Sequence, residues 1–319
     1  MPPEVLLGGR SGQANEFEGR RREWPCHCGR PRPTELMTHS KIVPAMVSVI
    51  VPTYNRSSMV QRAVASVLSQ DYRKLEAVVI DDRSEDNTSA VIHSMRAHDS
   101  RVVYSRNAES KGCAGARNTG LKIARGRYVS FLDDDDLFLP GKIRSQVAWM
   151  EDNPGTDVLV DGVRKQWCTR GNDGLAWLGL ELAPNLIFDG CQLMVRRKSL
   201  DGIRLRCNYM EWRDFAFQAY MNGLRVHLAE RQLVRKNNTE QSLSKRTEEM
   251  LTTALDNARE YCERTIGRPE HDVFRRYLAN CEKSVANFSL KRGRLAKAAI
   301  GYRKAFRAYP DPRNLVPFA

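Results

Sequence analysis

The segment RYVSFLDDDDLFLP (Arg127–Pro140) places four consecutive carboxylates directly after a run that resembles a buried β-strand. A short apolar run rich in aromatic and β-branched residues is typical of a strand in a sheet with both faces covered. Four adjacent like charges are unfavourable unless a positive group lies among them. The segment therefore predicts a strand that delivers an acidic cluster to a cation.

Strand-like and helix-like segments alternate before this run. Strands are predicted at 47–51, 75–82 and 101–105, and helical periodicity at 57–70, 84–98 and 113–125. This alternation predicts an α/β fold with a mostly parallel, doubly wound sheet flanked by helices. The loops Pro52–Arg56, Asp81–Ser84 and Asp133–Asp136 each follow a strand, so they should line one crevice at the carboxyl ends of the strands.

The composition is that of an ordinary globular protein. The chain has 319 residues, of which 41% are hydrophobic and 28% charged. No apolar run approaches the ~18 residues of a membrane span, and the N-terminus lacks the apolar core of a secretory signal. We expect a cytoplasmic protein with a disordered leader over residues 1–44, and Met46 is a possible natural start. The eight scattered cysteines are interpreted as free thiols.

The C-terminal part is helical and basic. From about Thr247 the pattern is almost purely helical, which predicts a helical extension over 241–319 that packs on the main domain. Between Lys283 and Arg313 nine Lys and Arg residues face one acidic residue, and the whole chain carries a net charge of +13. Such a surface attracts anionic membranes, phosphates or nucleic acid, or is simply a solvated helix face. Of the macromolecular partners, a peripheral membrane contact is preferred over nucleic acid.

The acidic cluster itself suggests a metal site. In an extended strand, residues two apart point the same way, so Asp133 and Asp135 would face one ligand while Asp134 and Asp136 face elsewhere. Oxygen ligands without a nearby His or Cys favour Mg²⁺ or Mn²⁺ shared with substrate phosphates. A solvated acidic turn is the alternative.

Four segments occur together in an order that resembles family 2 of the inverting glycosyltransferases. They are VSVIVPTYNR (47–56), LEAVVIDDRSEDNT (75–88), GARNTGLKIAR (115–125) and GRYVSFLDDDDLFLP (126–140). The resemblance covers about residues 47–229 and implies a Rossmann-like domain of the GT-A type. It also implies a domain at 45–240, with a donor half over 45–140 and an acceptor half over 141–240.

The resemblance implies roles for individual residues. Asp133 and Asp135 match the metal-binding Asp-x-Asp motif. Asp82, with Asp81 as a second candidate, matches the residue that accepts a hydrogen bond from a base N–H, which suits uracil or thymine. The residues implied in nucleotide-sugar binding are Pro52, Thr53, Tyr54, Asp81, Asp82, Gly112, Arg117, Asn118 and Asp134.

The expected catalytic base is missing from its usual position. The family carries a Glu-Asp pair at the start of a helix, and here Trp212 stands at the Asp position. Glu211 and Asp214 remain alternative bases for deprotonating the acceptor hydroxyl. Trp212 is predicted either to stack on an acceptor sugar or to be a core residue.

The leading prediction is a metal-dependent enzyme that moves a sugar from a UDP- or dTDP-sugar to a hydroxyl of a glycan or lipid-linked glycan. A sugar nucleotidyltransferase is disfavoured because PTYNRSS lacks the glycine-rich loop such enzymes carry after the first strand. A non-catalytic glycan- or nucleic-acid-binding protein on the same fold is the alternative from a different class.

Overall fold

The structure is a computed structural model that describes residues 46–162, 189–206, 210–237 and 247–314. The predicted leader over 1–44 lies outside these residues. Four cysteines fall within the described part, namely Cys113, Cys191, Cys262 and Cys281, and all are free thiols as predicted.

A seven-stranded sheet forms the centre of the fold. Its order is β3-β2-β1-β4-β7-β6-β8. Its strands are β1 Val47–Thr53, β2 Leu75–Asp81, β3 Val102–Arg106, β4 Tyr128–Phe131, β6 Val158–Val160, β7 Leu193–Arg196 and β8 Val226–Leu228. A separate two-stranded ribbon pairs β5 (Leu137–Phe138) with β9 (Val234–Arg235).

The sheet is mostly parallel, which confirms the predicted fold class. Strand β1 pairs in parallel with β2 and β4, β2 with β3, and β6 with β8. Only β7 runs antiparallel to both of its neighbours within this sheet. Strand β1 continues past its predicted end at Val51, because Pro52 and Thr53 still pair with β2.

Eight α-helices accompany the strands in the described residues. They are α1 Ser57–Leu68, α2 Thr88–His98, α3 Cys113–Ile123, α4 Lys142–Asp152, α5 Glu211–Met221, α6 Thr247–Arg264, α7 His271–Lys291 and α8 Leu295–Ala308. Alternate residues of each central strand enter two different cores: Val49 joins the core under α1, and Ile50 joins the core containing α5. Both faces of the sheet are thus covered, which explains the continuous apolar strands.

The C-terminal helices pack on the sheet domain through α5. Phe217 of α5 stacks on Tyr261 of α6 with ring centroids 4.0 Å apart, and it meets Phe274 of α7 edge-on at 5.3 Å. The expectation that the extension packs on the main domain is therefore confirmed. Among the described helices we find no segment with the length and apolarity needed to cross a lipid bilayer.

Candidate active site

The three loops predicted to share a crevice are joined by hydrogen bonds at the carboxyl ends of β1, β2 and β4. Thr53 at the end of β1 donates to Asp134 Oδ2 at 2.8 Å. The backbone N–H of Asn55 donates to Ser84 Oγ at 2.9 Å, and Asn55 Oδ1 accepts from the N–H of Glu85 at 2.8 Å. The crevice is therefore a single connected structure, as the position of the loops after their strands predicts.

The four carboxylates lie in a turn and not in a strand. Strand β4 ends at Phe131, and the N–H of Asp136 donates to the carbonyl of Asp133 at 3.1 Å. A turn brings residues three apart together, so the alternation expected from strand geometry does not apply. The prediction that Asp136 faces away from Asp133 is wrong, since both carboxylates approach the ammonium of Lys236.

Three basic side chains from distant parts of the chain supply the positive charge that the cluster requires. Arg56 Nη1 lies 2.8 Å from Asp134 and 3.2 Å from Asp135. Arg117 Nη2 donates to Asp133 at 2.5 Å, and Lys236 Nζ donates to Asp136. Each carboxylate of the turn thus has a cationic neighbour.

The surroundings of the carboxylates shift their pKa values in opposite directions. Burial raises the pKa of Asp134 to about 6, although Arg56 acts against this shift. Burial also raises the pKa of Asp135, and the negative charge of Asp133 adds to the effect. Burial acts in the same direction on Asp133, but Arg117 and Lys236 outweigh it and lower its pKa. Asp133 is therefore the carboxylate of this turn that stays ionised most readily.

The donor set around Asp133 fits a hard divalent cation. Ligand atoms of Asp133, Asp136, Asp189 and Cys191 all lie within 4.8 Å of one another. Burial raises the pKa of the Cys191 thiol, and the other three groups offer carboxylate oxygens. Carboxylate oxygens suit Mg²⁺ or Mn²⁺. The ammonium of Lys236 pairs with the same three carboxylates and is thus a positive charge within the cluster. The assignment of Asp135 to the metal stays a prediction.

The residues predicted to contact the nucleotide differ in accessibility. Pro52 and Thr53 are buried in β1, whereas the Tyr54 ring is 39% exposed and lies 4.4 Å from the ammonium of Lys111. Of this segment, Tyr54 is thus the residue whose ring can contact a nucleotide base or ribose.

The two acidic residues after β2 are buried and hold neighbouring loops. Asp81 accepts from the hydroxyl of Tyr104 at 2.9 Å. Asp82 accepts from Asn107 Nδ2 at 2.6 Å and from the N–H of Gly112 at 2.7 Å. Gly112 adopts a φ of 116°, which only glycine takes readily, and α3 begins directly after it. A nucleotide base would have to donate its N–H to Asp82 in addition to these two donors. Recognition of the nucleotide base by Asp82 therefore stays a prediction.

Asn118 is occupied by structural hydrogen bonds. Its Nδ2 donates to the carbonyl of Leu205 at 2.7 Å, and its Oδ1 accepts from the Leu205 N–H at 3.1 Å. The side chain therefore fixes the segment before α5 to α3. The expected contact of Asn118 with phosphate or base is not supported, because both polar atoms bind that backbone.

The two candidate bases lie in different environments. Glu211 Oε1 accepts from Arg117 Nη1 at 2.6 Å, while the other terminal nitrogen of the same guanidinium binds Asp133. Burial raises the pKa of Glu211, and the charge of Arg117 opposes that shift. The Glu211 side chain keeps 11% of its surface exposed.

Asp214 lies on α5 next to the C-terminal helices and not at the turn of Asp133–Asp136, which we call the acidic turn. It is fully buried and accepts from Arg206, from Gln218 Nε2 at 2.8 Å and from the hydroxyl of Tyr261 at 2.7 Å. The structure thus brings Glu211 to the acidic turn and does not bring Asp214 there.

Trp212 is a core residue. Its ring is 8% exposed, meets Phe131 edge-on at 4.9 Å and lies 5.0 Å from the guanidinium of Arg117. A Cβ atom at Gly190 would approach the Trp212 ring to 1.9 Å. The hypothesis that Trp212 stacks on an acceptor sugar is therefore wrong, because no ring face is free to receive a pyranose.

Backbone strain is concentrated around this crevice. Among the described non-glycine residues, a positive φ occurs only at Asn55, Arg83 and Met210. The first two lie in the loops after β1 and β2, and Met210 comes directly before Glu211. Such conformations are unfavourable for most side chains and cluster at functional sites.

Several residues of the site were not found from the sequence. Arg56 lies in the quoted VPTYNR segment, but nothing in that segment shows that it pairs with Asp134. Lys236 and Asn237 follow β9 about 100 residues after the acidic turn, where Asn237 Nδ2 donates to the carbonyl of Asp135 at 2.6 Å. Their proximity depends on the pairing of β5 with β9, and two-residue strands leave no periodic signal.

Comparison with known proteins gives a consistent result. The family model for glycosyl transferase family 2 matches residues 48–202. A glucosyltransferase of Escherichia coli, UDP-Glc:alpha-D-GlcNAc-diphosphoundecaprenol beta-1,3-glucosyltransferase WfaP, is 43% identical over 106 residues, which are 33% of this chain and 41% of the relative. The GalNAc(5)-diNAcBac-PP-undecaprenol beta-1,3-glucosyltransferase of Campylobacter jejuni is 43% identical over 98 residues, or 30% of this chain and 32% of the relative. The chain thus spans about two fifths of the length of the E. coli relative and a third of the C. jejuni one.

Solved structures share the fold over most of the chain. Residues 1–349 of S. aureus TarS in complex with UDP-GlcNAc superpose with a TM-score of 0.62 at 21% identity, covering 83% of this chain and 82% of that fragment. The mannosyltransferase PcManGT from Pyrobaculum calidifontis, in complex with GDP-Man and Mn²⁺, gives a TM-score of 0.55 at 20% identity, with 86% and 83% covered. The family match, the curated relatives and the GT-A fold agree: residues 48–202 of this chain match glycosyl transferase family 2, and the relatives and the solved structures with the same fold are glycosyltransferases.

Proposed function

We propose that this protein is a metal-dependent inverting glycosyltransferase that moves a sugar from a UDP- or dTDP-sugar to a hydroxyl of a lipid-linked glycan. The reaction would be a direct displacement at the anomeric carbon, with the nucleoside diphosphate as the leaving group. The following contacts support each part of the proposal.

The observation that carries the proposal is the bridge between Glu211 and Asp133. One buried guanidinium, that of Arg117, holds a candidate base on one terminal nitrogen and a candidate metal ligand on the other, at 2.6 and 2.5 Å. An inverting displacement needs a base on the acceptor side and positive charge on the leaving-group side of one reacting carbon. Arg117 fixes the spacing between these two functions.

Glu211 is proposed as the base. It would accept the proton of the acceptor hydroxyl as that oxygen attacks the anomeric carbon. Because burial raises its pKa, Glu211 is a stronger base than an exposed glutamate and closer to the range where general bases work best at neutral pH. Asp214 is proposed instead to hold α5, since all of its hydrogen bonds described above go to side chains outside the acidic turn.

The acidic turn is proposed to hold Mg²⁺ or Mn²⁺ through Asp133 and Asp135, with Asp136 and Asp189 as further oxygen ligands in reach. When bound, the ion would offset the charge that develops on the departing diphosphate. Asp134 is held by Thr53 and Arg56 and so shapes the turn from its other side.

The donor and acceptor classes rest on different grounds. Acceptance of a base N–H by Asp82 would select uracil or thymine, and the name of the E. coli relative includes UDP-Glc as donor. The names of the E. coli and C. jejuni relatives specify undecaprenol-linked diphosphate acceptors. The free thiols of the described cysteines favour a reducing, cytoplasmic location, where nucleotide sugars would be the donors.

Two measurements test the proposal. Calorimetric titration with UDP, dTDP and GDP, with and without Mn²⁺, should give metal-dependent binding of the uracil or thymine nucleotides. A panel of nucleotide sugars with Mn²⁺ and a prenyl-diphosphate-linked sugar should then show donor turnover with inversion at the anomeric carbon. Failure to bind any nucleotide would contradict the proposal and favour the non-catalytic alternative.

A further inference from the structure

The outer side of helix α8 carries a surface that the proposed reaction does not use. Its inner side packs on α7 through Ala298, Tyr302 and Ala305, which are all buried. The outer side exposes four cations that we call the basic face: Lys297, Arg303, Lys304 and Arg307.

Among the residues that the structure describes, the basic face lacks the acidic partners that normally neutralise a charged helix surface. No Asp or Glu occurs between Lys283 and Arg307. Within the described part of the chain, none of the four cations forms a hydrogen bond or an ion pair. By contrast, the neighbouring Arg292 and Arg294 both pair with Glu248 of α6, at 3.3 and 3.1 Å. The described residues therefore leave the charge of the basic face without a counter-charge.

One large aliphatic side chain lies among these cations. Ile300 is 54% exposed. Residues three and four apart are neighbours on a helix, so Ile300 is surrounded by Lys297, Arg303 and Lys304. An exposed isoleucine within a ring of cations is unfavourable in water and contributes nothing to contact with phosphates alone.

This combination fits the boundary between lipid headgroups and acyl chains. Cations near an anionic bilayer surface each strengthen binding, and aliphatic side chains gain by entering the acyl boundary. A nucleic acid would satisfy the cations but would leave Ile300 in water. Charge and apolarity together therefore favour a membrane.

We propose that the basic face of α8 binds an anionic membrane surface, with Ile300 at the acyl boundary. The role of this binding rests on the proposed function, because a lipid-linked acceptor would lie in such a membrane. The binding itself depends only on the α8 surface.

The test compares two variants of the full chain with the same net charge. The first replaces the four cations of the basic face by Gln. The second, the control set, replaces four exposed cations of the sheet domain by Gln: Arg62, Arg73, Lys74 and Arg96. All eight side chains are exposed, so both variants should keep the unfolding temperature of the parent protein, which circular dichroism checks.

Binding is measured by co-sedimentation with phosphatidylcholine vesicles that do or do not contain phosphatidylglycerol. We expect the parent protein and the control set to bind the anionic vesicles alike. Each cation near the surface is worth roughly fivefold in binding, so the basic-face variant should bind on the order of several hundredfold more weakly. Equal weakening in both variants would show attraction by total charge alone and would overturn the proposal. So would an absence of binding by the parent protein, or preferred binding of a homopolymeric RNA that the vesicles fail to displace.

The single variant Ile300→Ser tests the apolar part. It should weaken vesicle binding by an amount that changes little with salt, whereas the contribution of the cations falls as salt screens it. An unchanged binding constant would refute insertion of Ile300.

Transfer assays separate this inference from the proposed function. The basic-face variant should retain transfer to a water-soluble, short-chain acceptor and lose transfer to an acceptor embedded in anionic vesicles. Loss of both would contradict the placement of the basic face outside the reaction site. Absence of transfer by the parent protein with either acceptor would refute the proposed function, while the vesicle binding would still be measurable.

Discussion

Two separate variants, Glu211→Gln and Asp214→Asn, each replace a carboxylate by its amide. They should distinguish the residue that acts as the base from the residue that stabilises the fold. The two residues lie three apart at the start of α5, and both are buried. If Glu211 is the base, Glu211→Gln removes the proton acceptor but keeps an oxygen for Arg117. Turnover should then fall by about 10²- to 10⁴-fold, the usual contribution of a general base.

Asp214→Asn should have the opposite profile. The substitution removes a buried negative charge from the guanidinium of Arg206, and breaking such a pair costs about 3–5 kcal/mol. We expect the lower end, about 3 kcal/mol, because the Arg206 side chain is 36% exposed and can turn toward water. In a domain of this size that loss lowers the unfolding temperature by roughly 6–12 °C.

The assay is kcat for release of the nucleoside diphosphate from the best donor in the panel, measured well below both unfolding temperatures. Circular dichroism gives the unfolding temperatures, and calorimetry checks that nucleotide binding is unchanged in both variants. The reasoning is refuted if Asp214→Asn loses more than a hundredfold in kcat while folded and Glu211→Gln stays within tenfold of the parent protein.

Three further outcomes are expected. Arg117→Met should move the acidic limb of the pH profile of kcat to higher pH. Burial raises the pKa of Glu211 and the charge of Arg117 opposes that shift, so loss of Arg117 raises the pKa further. Glu211 acts as a base only above its pKa. A profile unchanged in position would exclude Glu211 as the titrating base. Asp135→Ala should abolish the dependence of nucleotide binding on Mn²⁺ in calorimetry, and binding that still responds to Mn²⁺ would refute the metal assignment. Gly190→Ala should lower stability by at least about 1–3 kcal/mol in a urea titration, because its Cβ would overlap the rigid ring of Trp212, whereas a neutral result would contradict the tight packing there.

The sheet and its crevice were predictable because they depend on local patterns. Continuous apolar runs mark β1, β2 and β4, and the residues after each run are polar, so the position of the crevice follows from the order of elements. The pattern does not show where a strand gives way to a turn. Strand β4 ends at Phe131, one residue before the predicted end at Leu132, and the next four carboxylates therefore fold back on themselves instead of alternating.

The counter-charges of the acidic turn could not be predicted, because each comes from a different distance along the chain. Arg117 is 16 residues from Asp133, Arg56 is 78 from Asp134, and Lys236 is 100 from Asp136. Only the three-dimensional pairing of strands brings these residues together. A basic residue in a loop has no local property that distinguishes a buried partner from a solvated one.

Asp214 shows why adjacent residues on one helix can have different tasks. Glu211 faces Arg117 of α3, while Asp214 faces Tyr261 of α6. Helix α5 is therefore held from two sides by helices that are far apart in the sequence. The same side of α5 buries Phe217 against Tyr261. Because Met210 carries a strained backbone directly before Glu211, the orientation of the first turn of α5 depends on these contacts. The C-terminal helices therefore help to position the proposed base. A sequence motif around the base does not include these contacts.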